Sequence, residues 1–282
     1  MKTPPSVIVE SNQAVAHVTL SRPDRRNAYD VRLIAELLTA FEQIRKDASI
    51  RVVVLTGAGA AFCAGADLRW MMPPSPVSDT QARADAEQLS DMYRVIDECP
   101  CPVIGRVNGP AFGGGVGLIA VCDIVVAVQD ATFALSETRW GLVPAIISPF
   151  LLRKAGESFL RRYCLTAEVF SASVARQFNL VHEVVEGDSL DTKVSELIKA
   201  VLQVAPQAAK DTKVLLRKLL SLPEPDRRPV SVEANAQARL SVEAGEGVRA
   251  FLEKRSPAWV PQSQDTSTRE RLRPHDVTDH RA

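Results

Sequence analysis

The chain has 282 residues, of which 34 are basic and 34 acidic, so its formal net charge is zero. That length is ample for a sizeable core, and the balanced charge gives no global pull toward nucleic acid or an anionic membrane. No apolar run reaches the roughly 18 residues needed to cross a bilayer, and residues 1–9 lack a signal-peptide pattern, so a soluble cytoplasmic protein is expected. The five cysteines, Cys63, Cys99, Cys101, Cys122 and Cys164, are an odd count in a long chain, which argues against a disulfide framework. Cys99-Pro-Cys101 is half a metal site by spacing, but no second Cys pair or His cluster completes it, and no metal is expected.

In chain order, short β-branched runs alternate with helical patterns up to residue 190. Strands are predicted at residues 14–20, 51–56, 102–107, 123–128 and 180–185. Between the first two, Asp30 is an N-cap, and Ile34, Leu37, Leu38 and Phe41 follow helical spacing. A second helix within residues 80–97 repeats that spacing with Leu89, Met92, Tyr93 and Ile96. Strands alternating with helices predict an α/β domain with largely parallel strands over residues 1–190. Residues 191–260 carry no strand pattern. Val194, Leu197, Ile198, Val201 and Leu202 form one apolar stripe, Pro206 suits the first turn of another helix, and residues 231–254 predict a third. Residues 261–282 are polar and charged, and are expected to form a disordered tail. There is no internal repeat.

Two segments rich in small residues follow strands. The first, TGAGAAFCAGADL at 56–68, leads into a helix-compatible stretch at 68–72. The second, NGPAFGGGVGLIAVCD at 108–123, places a triple glycine where a helix would begin, with unpaired N–H groups suited to developing negative charge. Tight helix–strand packing alone would account for either segment. Gly115, Gly117 and Ala120 also match a loose dinucleotide fingerprint, but that motif belongs on the first βα turn of its fold, and here about 100 residues precede it.

Taken together and in order, five motifs resemble the crotonase family (enoyl-CoA hydratase/isomerase). They are RPDRRNA at 22–28, FCAGADL at 62–68, NGPAFGGG at 108–115, FALSETRWGLVP at 133–144 and FLEKR at 251–255. The resemblance spans nearly the whole chain except the tail. It implies a superhelix of ββα turns with a C-terminal helical module that builds trimers or dimers of trimers. It also implies an acyl-CoA substrate and no prosthetic group. The thioester oxygen would be held by the backbone N–H groups of Ala66 and Gly114. The chemistry agrees, since reaction at Cα or Cβ of an acyl thioester makes an enolate, and one well-placed donor is worth roughly 2.7–4 kcal/mol of barrier. By position, Arg25 and Ala28 would meet the CoA phosphates and backbone, and Ala64, Asp67 and Leu68 the adenine. Phe251 and Lys254 would reach a neighbouring subunit's CoA.

The resemblance also assigns the acid/base chemistry, with one departure. Many family hydratases use two glutamates. The first lies three residues after the middle glycine, and here that position is Gly117. The second falls on Glu137, four residues after Phe133. With Glu137 alone, two reactions remain open: hydration of the double bond, or a proton shuttle that isomerises it. The wording around 113–127 and 133–156 is closest to the methylglutaconyl-CoA and isohexenylglutaconyl-CoA hydratase branch. Such dicarboxylic substrates call for a cation, with Arg139 and Arg69 as candidates, while Trp70, Met71, Met72 and Trp140 are placed to wall the acyl pocket. The expected activity is enoyl-CoA hydration. The alternatives are an isomerase using the same glutamate, an acyl-CoA-binding protein without turnover, or RNA binding, against which the balanced charge argues.

Overall fold

The computed structural model describes residues 4–72 and 75–261. Among them nine strands form two sheets. The strands are β1 (Val7–Asn12), β2 (Val15–Leu20), β3 (Val52–Gly57), β4 (Val103–Val107), β5 (Ala111–Phe112), β6 (Ile124–Val128), β7 (Thr132–Ala134), β8 (Phe170–Ser171) and β9 (Glu183–Val185). The larger sheet runs β1-β2-β3-β4-β6-β9, with only the β1/β2 pair antiparallel. The smaller runs β5-β7-β8. Between β4 and β7 the chain alternates between the sheets, placing β4 and β6 side by side in one and β5 and β7 side by side in the other. That winding is the spiral α/β architecture the motifs led us to expect.

The helices close both faces of the larger sheet. They are α1 (Val31–Lys46), α2 (Leu68–Met71), α3 (Asp79–Asp97), α4 (Gly114–Ala120), α5 (Ser148–Ala155), α6 (Glu157–Thr166), α7 (Ala172–Gln177), α8 (Leu190–Gln203), α9 (Pro206–Ser221), α10 (Glu224–Arg239) and α11 (Val242–Leu252). Asp30 caps α1 by accepting from the N–H groups of Arg32 and Leu33, and the helix buries Leu33, Ile34, Leu37, Ala40, Phe41 and Ile44. In β3 the run Val52–Leu55 is apolar because both of its faces are covered: Val53 and Leu55 face the main core, whereas Val52 and Val54 face Leu190 and Val194 of α8. A strand covered on both faces needs apolar residues at every position. Helix α8, expected within the helical module, thus covers the outer face of the larger sheet.

The C-terminal region differs from expectation in one element. In place of a single helix over 231–254 there are two, α10 and α11, because the Ser241 side chain accepts from the Ala244 N–H and starts a new helix there. The strand β1 was not foreseen. Only Val7 of its six residues is buried, so it carries no alternating pattern to read. The predicted strand at 180–185 shortens to Glu183–Val185. No helix among the described residues is long and apolar enough to cross a membrane. Beyond Pro261, the expected tail lies outside the described residues.

Candidate active site

The two small-residue segments lie side by side. Cys63 and Ala111 form a parallel bridge, in which the Phe112 N–H donates to the Cys63 carbonyl at 3.0 Å. The segment after β3 is clamped by two asparagines. Buried Asn27 donates from its amide to the carbonyls of Ala58, Ala61 and Phe62, and Asn108 donates to that of Gly59. Gly65 lets the backbones approach, since a Cβ there would stand 2.6 Å from the Phe112 oxygen and 3.3 Å from the Gly114 nitrogen.

Both predicted donors are free to face a ligand. Tyr29 bridges Ala66 in parallel: its N–H donates to Gly65, and its carbonyl accepts from Asp67. In that geometry the Ala66 N–H points away from the Tyr29 segment. Gly114 opens α4, so its N–H has no acceptor within the helix. Ala66 and Gly114 line one cavity of about 790 Å³ together with Glu137.

Glu137 begins the short turn Glu137–Trp140, which leaves the loop after β7. Its carboxylate lies against Gly113, where a Cβ would stand 3.2 Å from Oε1. Gly113 has φ +50°, in the region that side chains disfavour. A side chain at Gly113 would be strained by this backbone and would crowd the carboxylate. Burial pushes the Glu137 carboxyl above its ordinary value, and Oε2 has no hydrogen-bond partner among the described residues. A buried acceptor without a partner is costly unless function uses it.

The position of the absent first glutamate is closed. A Cβ on Gly117 would fall 2.3 Å from Ile147 Cγ2 and 3.0 Å from Tyr93 Cε1. Gly117 was expected to be a substrate-pocket residue, but it does not line the cavity, because Ile147 takes that part of the wall. Two tyrosines occupy the neighbouring space. Tyr93 Oη donates to the Gly114 carbonyl at 2.8 Å, and the Tyr29 and Tyr93 hydroxyls are 3.2 Å apart.

The other predicted residues divide. Ala64, Leu68, Trp70, Met71, Met72, Arg139 and Trp140 all line the cavity. Arg69 and Asp67 do not. The Asp67 carboxylate instead caps α2 by accepting from the Arg69 N–H, and it pairs with Arg22 at 3.4 Å. Arg22 also pairs with Asp30 at 3.0 Å and donates to the Ala28 carbonyl, so this arginine ties the starts of α1 and α2 together. Arg25 pairs with Asp24 on the surface. Phe251 and Lys254 lie at the end of α11, with Phe251 82% exposed. Arg22, Asn27, Tyr29 and Ile147 were not singled out from the sequence. Arg22, Asn27 and Tyr29 sit in or directly after the RPDRRNA motif, which is the one signal that points to them.

The chain as a whole is similar to known proteins. Residues 10–262 match the family model described as enoyl-CoA hydratase/isomerase. The chain is 31% identical over 254 residues to the enoyl-CoA hydratase EchA19 of Mycobacterium tuberculosis, covering 90% of this chain and 96% of that one. It is 33% identical over 253 residues to the mevalonyl-coenzyme A hydratase sidH of Aspergillus fumigatus, covering 86% and 90%. The crystal structure of an enoyl-CoA hydratase from Shewanella pealeana superposes with a TM-score of 0.86 at 37% identity, covering 90% and 96%. The chain is an enzyme of hydratase type and belongs to the enoyl-CoA hydratase/isomerase family.

Proposed function

We propose that this enzyme adds water across the α,β-double bond of an acyl-CoA thioester, with Glu137 as its acid/base group. One observation carries the assignment: the half-buried Glu137, whose buried Oε2 has no partner among the described residues, lies against Gly113 in the same cavity as two outward-facing N–H groups. The Ala66 and Gly114 N–H groups hold the thioester oxygen and stabilise the enolate charge. Glu137 takes one proton from a water as its oxygen bonds to Cβ. The π electrons move onto the thioester oxygen. Glu137 then returns the proton to Cα, and the enolate collapses to the 3-hydroxyacyl product. Burial holds Glu137 nearer neutrality than an exposed carboxylate, which suits both transfers.

The CoA portion leaves past Ala64 and Leu68, toward Arg25, Ala28 and Asp67. A homotrimer or dimer of trimers brings Phe251 and Lys254 to a neighbour's CoA. The exposed apolar surface of α9–α11 supports such an assembly, with Val242 90% and Leu240 81% exposed. For the acyl group, Arg139 is the one cation among the described lining residues, which favours a substrate with a second carboxylate, such as a methylglutaconyl-CoA or isohexenylglutaconyl-CoA. A soluble cytoplasmic location fits such a substrate.

The test is a panel of enoyl-CoAs that includes branched dicarboxylic ones. Hydration shows as loss of the conjugated enoyl-thioester absorbance with formation of a 3-hydroxyacyl-CoA. A gain of that absorbance from β,γ-unsaturated substrates, without hydration, would make the enzyme an isomerase instead. Binding of CoA thioesters with no turnover across the panel would leave it a binding protein.

A further inference from the structure

The two tyrosines beside Gly114 form a chain whose direction can be worked out. The Gly114 carbonyl can only accept, so the single proton of Tyr93 Oη is committed to it, at 2.8 Å. Across the 3.2 Å contact between the hydroxyls, Tyr29 must then be the donor and Tyr93 the acceptor. The Tyr29 proton is spent in turn, and its oxygen keeps a lone pair free. Both rings are buried, yet Tyr29 lines the cavity and Tyr93 does not. The Tyr29 oxygen stands over Gly114, close enough that a Cβ there would fall 1.8 Å from it. Burial raises both phenols above their ordinary value, so they stay neutral and the direction of the chain persists at working pH.

We infer that Tyr29 is the second acceptor for the attacking water, and that the Tyr93–Gly114 contact is what keeps it an acceptor. This rests on the hydratase reading above. A water about to attack Cβ has two hydrogens to place. Glu137 takes one as a proton. The other stays on the oxygen and becomes the hydrogen of the product hydroxyl, donated to Tyr29 throughout. No proton passes to Tyr29, so the balance of the reaction is unchanged. A neutral phenol does here what a second carboxylate at residue 117 has no room to do, with Ile147 filling that space. Tyr93 is a positioning residue. Without its hydroxyl, the Tyr29 proton loses its acceptor and turns toward the cavity as a donor.

The experiment compares wild type, Tyr29→Phe and Tyr93→Phe in two assays. One is hydration of the best enoyl-CoA in the panel. The other is exchange of the α-protons of a saturated acyl-CoA with D₂O, which needs Glu137 and the N–H pair but no attacking water. Each substitution is expected to lower kcat for hydration about tenfold, as loss of one hydrogen bond allows, while KM and α-proton exchange stay near wild type. Undiminished hydration by Tyr29→Phe would overturn the inference and leave the hydratase reading intact. An equal fall in hydration and exchange would also overturn it, because the hydroxyl would then support the site as a whole and not the attacking water. A wild type that exchanges α-protons but hydrates nothing would overturn the hydratase reading, and this inference with it.

Discussion

Helices α1 and α9 are both 16 residues long, and both carry an apolar stripe at helical spacing, yet they end in opposite environments. Helix α1 buries six residues against the sheet and α3, whereas α9 buries none and leaves Val214, Leu216 and Leu220 at least half exposed. The same holds for their neighbours: α10 buries nothing, and α11 buries only Ala250. An amphipathic pattern therefore says that a helix has an apolar face, not where the partner of that face comes from. In the spiral core the partner is the chain's own sheet. In the C-terminal module, a few polar ties reach the core, such as Lys213 to Asp123 at 2.6 Å and Arg51 to the Trp259 carbonyl at 2.6 Å, while the apolar surface faces outward. On this account the core holds the chemistry and the module holds the assembly, and substitutions in one should leave the other untouched.

The largest effect should come from the core. Glu137→Gln is expected to lower kcat about 10³-fold, within the range of lost acid/base catalysis, with molecular mass in solution unchanged. The same variant should melt later than wild type at neutral pH. The folded-state pKa of Glu137 is raised, so its ionised form costs stability above that pKa, and the cost disappears as pH falls below the unfolded value. The gap in Tm should accordingly close on acidification. The wild-type kcat/KM should fall on the acid side at a pH above the ordinary carboxylate range, since the base must be ionised.

Next, Arg139→Ala should raise KM for a dicarboxylic enoyl-CoA roughly tenfold, as expected for losing a charge-assisted hydrogen bond, while leaving KM for an unbranched monocarboxylic substrate unchanged. A uniform change across substrates would place Arg139 outside the acyl pocket. Gly113→Ala should cost roughly 1–3 kcal/mol of stability through its positive φ, seen as a lower Tm, and should displace the Glu137 carboxylate. The smallest effect on the core should come from the module. Val242→Asp should change the chain's own stability by no more than about 0.5 kcal/mol, yet reduce the assembled mass seen by light scattering. An unchanged mass would mean that the exposed surface serves something other than assembly.

Much of the core was legible in the sequence because its elements carry strong local patterns. The N-cap at Asp30, the stripe of α1 and the apolar run Val52–Leu55 of β3 all answer to pattern and capping rules. Strand β1 was silent because five of its six residues are exposed. The break between α10 and α11 depends on one serine cap within a continuous helical pattern. In the site, motif register pointed to Ala66, Gly114 and Glu137, which line one cavity. The roles of Asp67 and Gly117 did not follow from it, because they depend on contacts far away in sequence: Arg22 claims the Asp67 carboxylate, and Ile147 fills the space beside Gly117. Tyr93 was legible only as one member of an apolar stripe, since nothing local reveals that its hydroxyl meets Gly114.

The central claim is that one carboxylate, Glu137, carries the proton from water to Cα on a single face of the bound substrate. Hydration in D₂O, with the product's relative configuration read by NMR, tests it most directly. The account predicts a single diastereomer, with the new hydroxyl and one deuterium at Cα added to the same face. Addition to opposite faces, or a mixture of both diastereomers, would contradict it by requiring a second proton donor across the double bond.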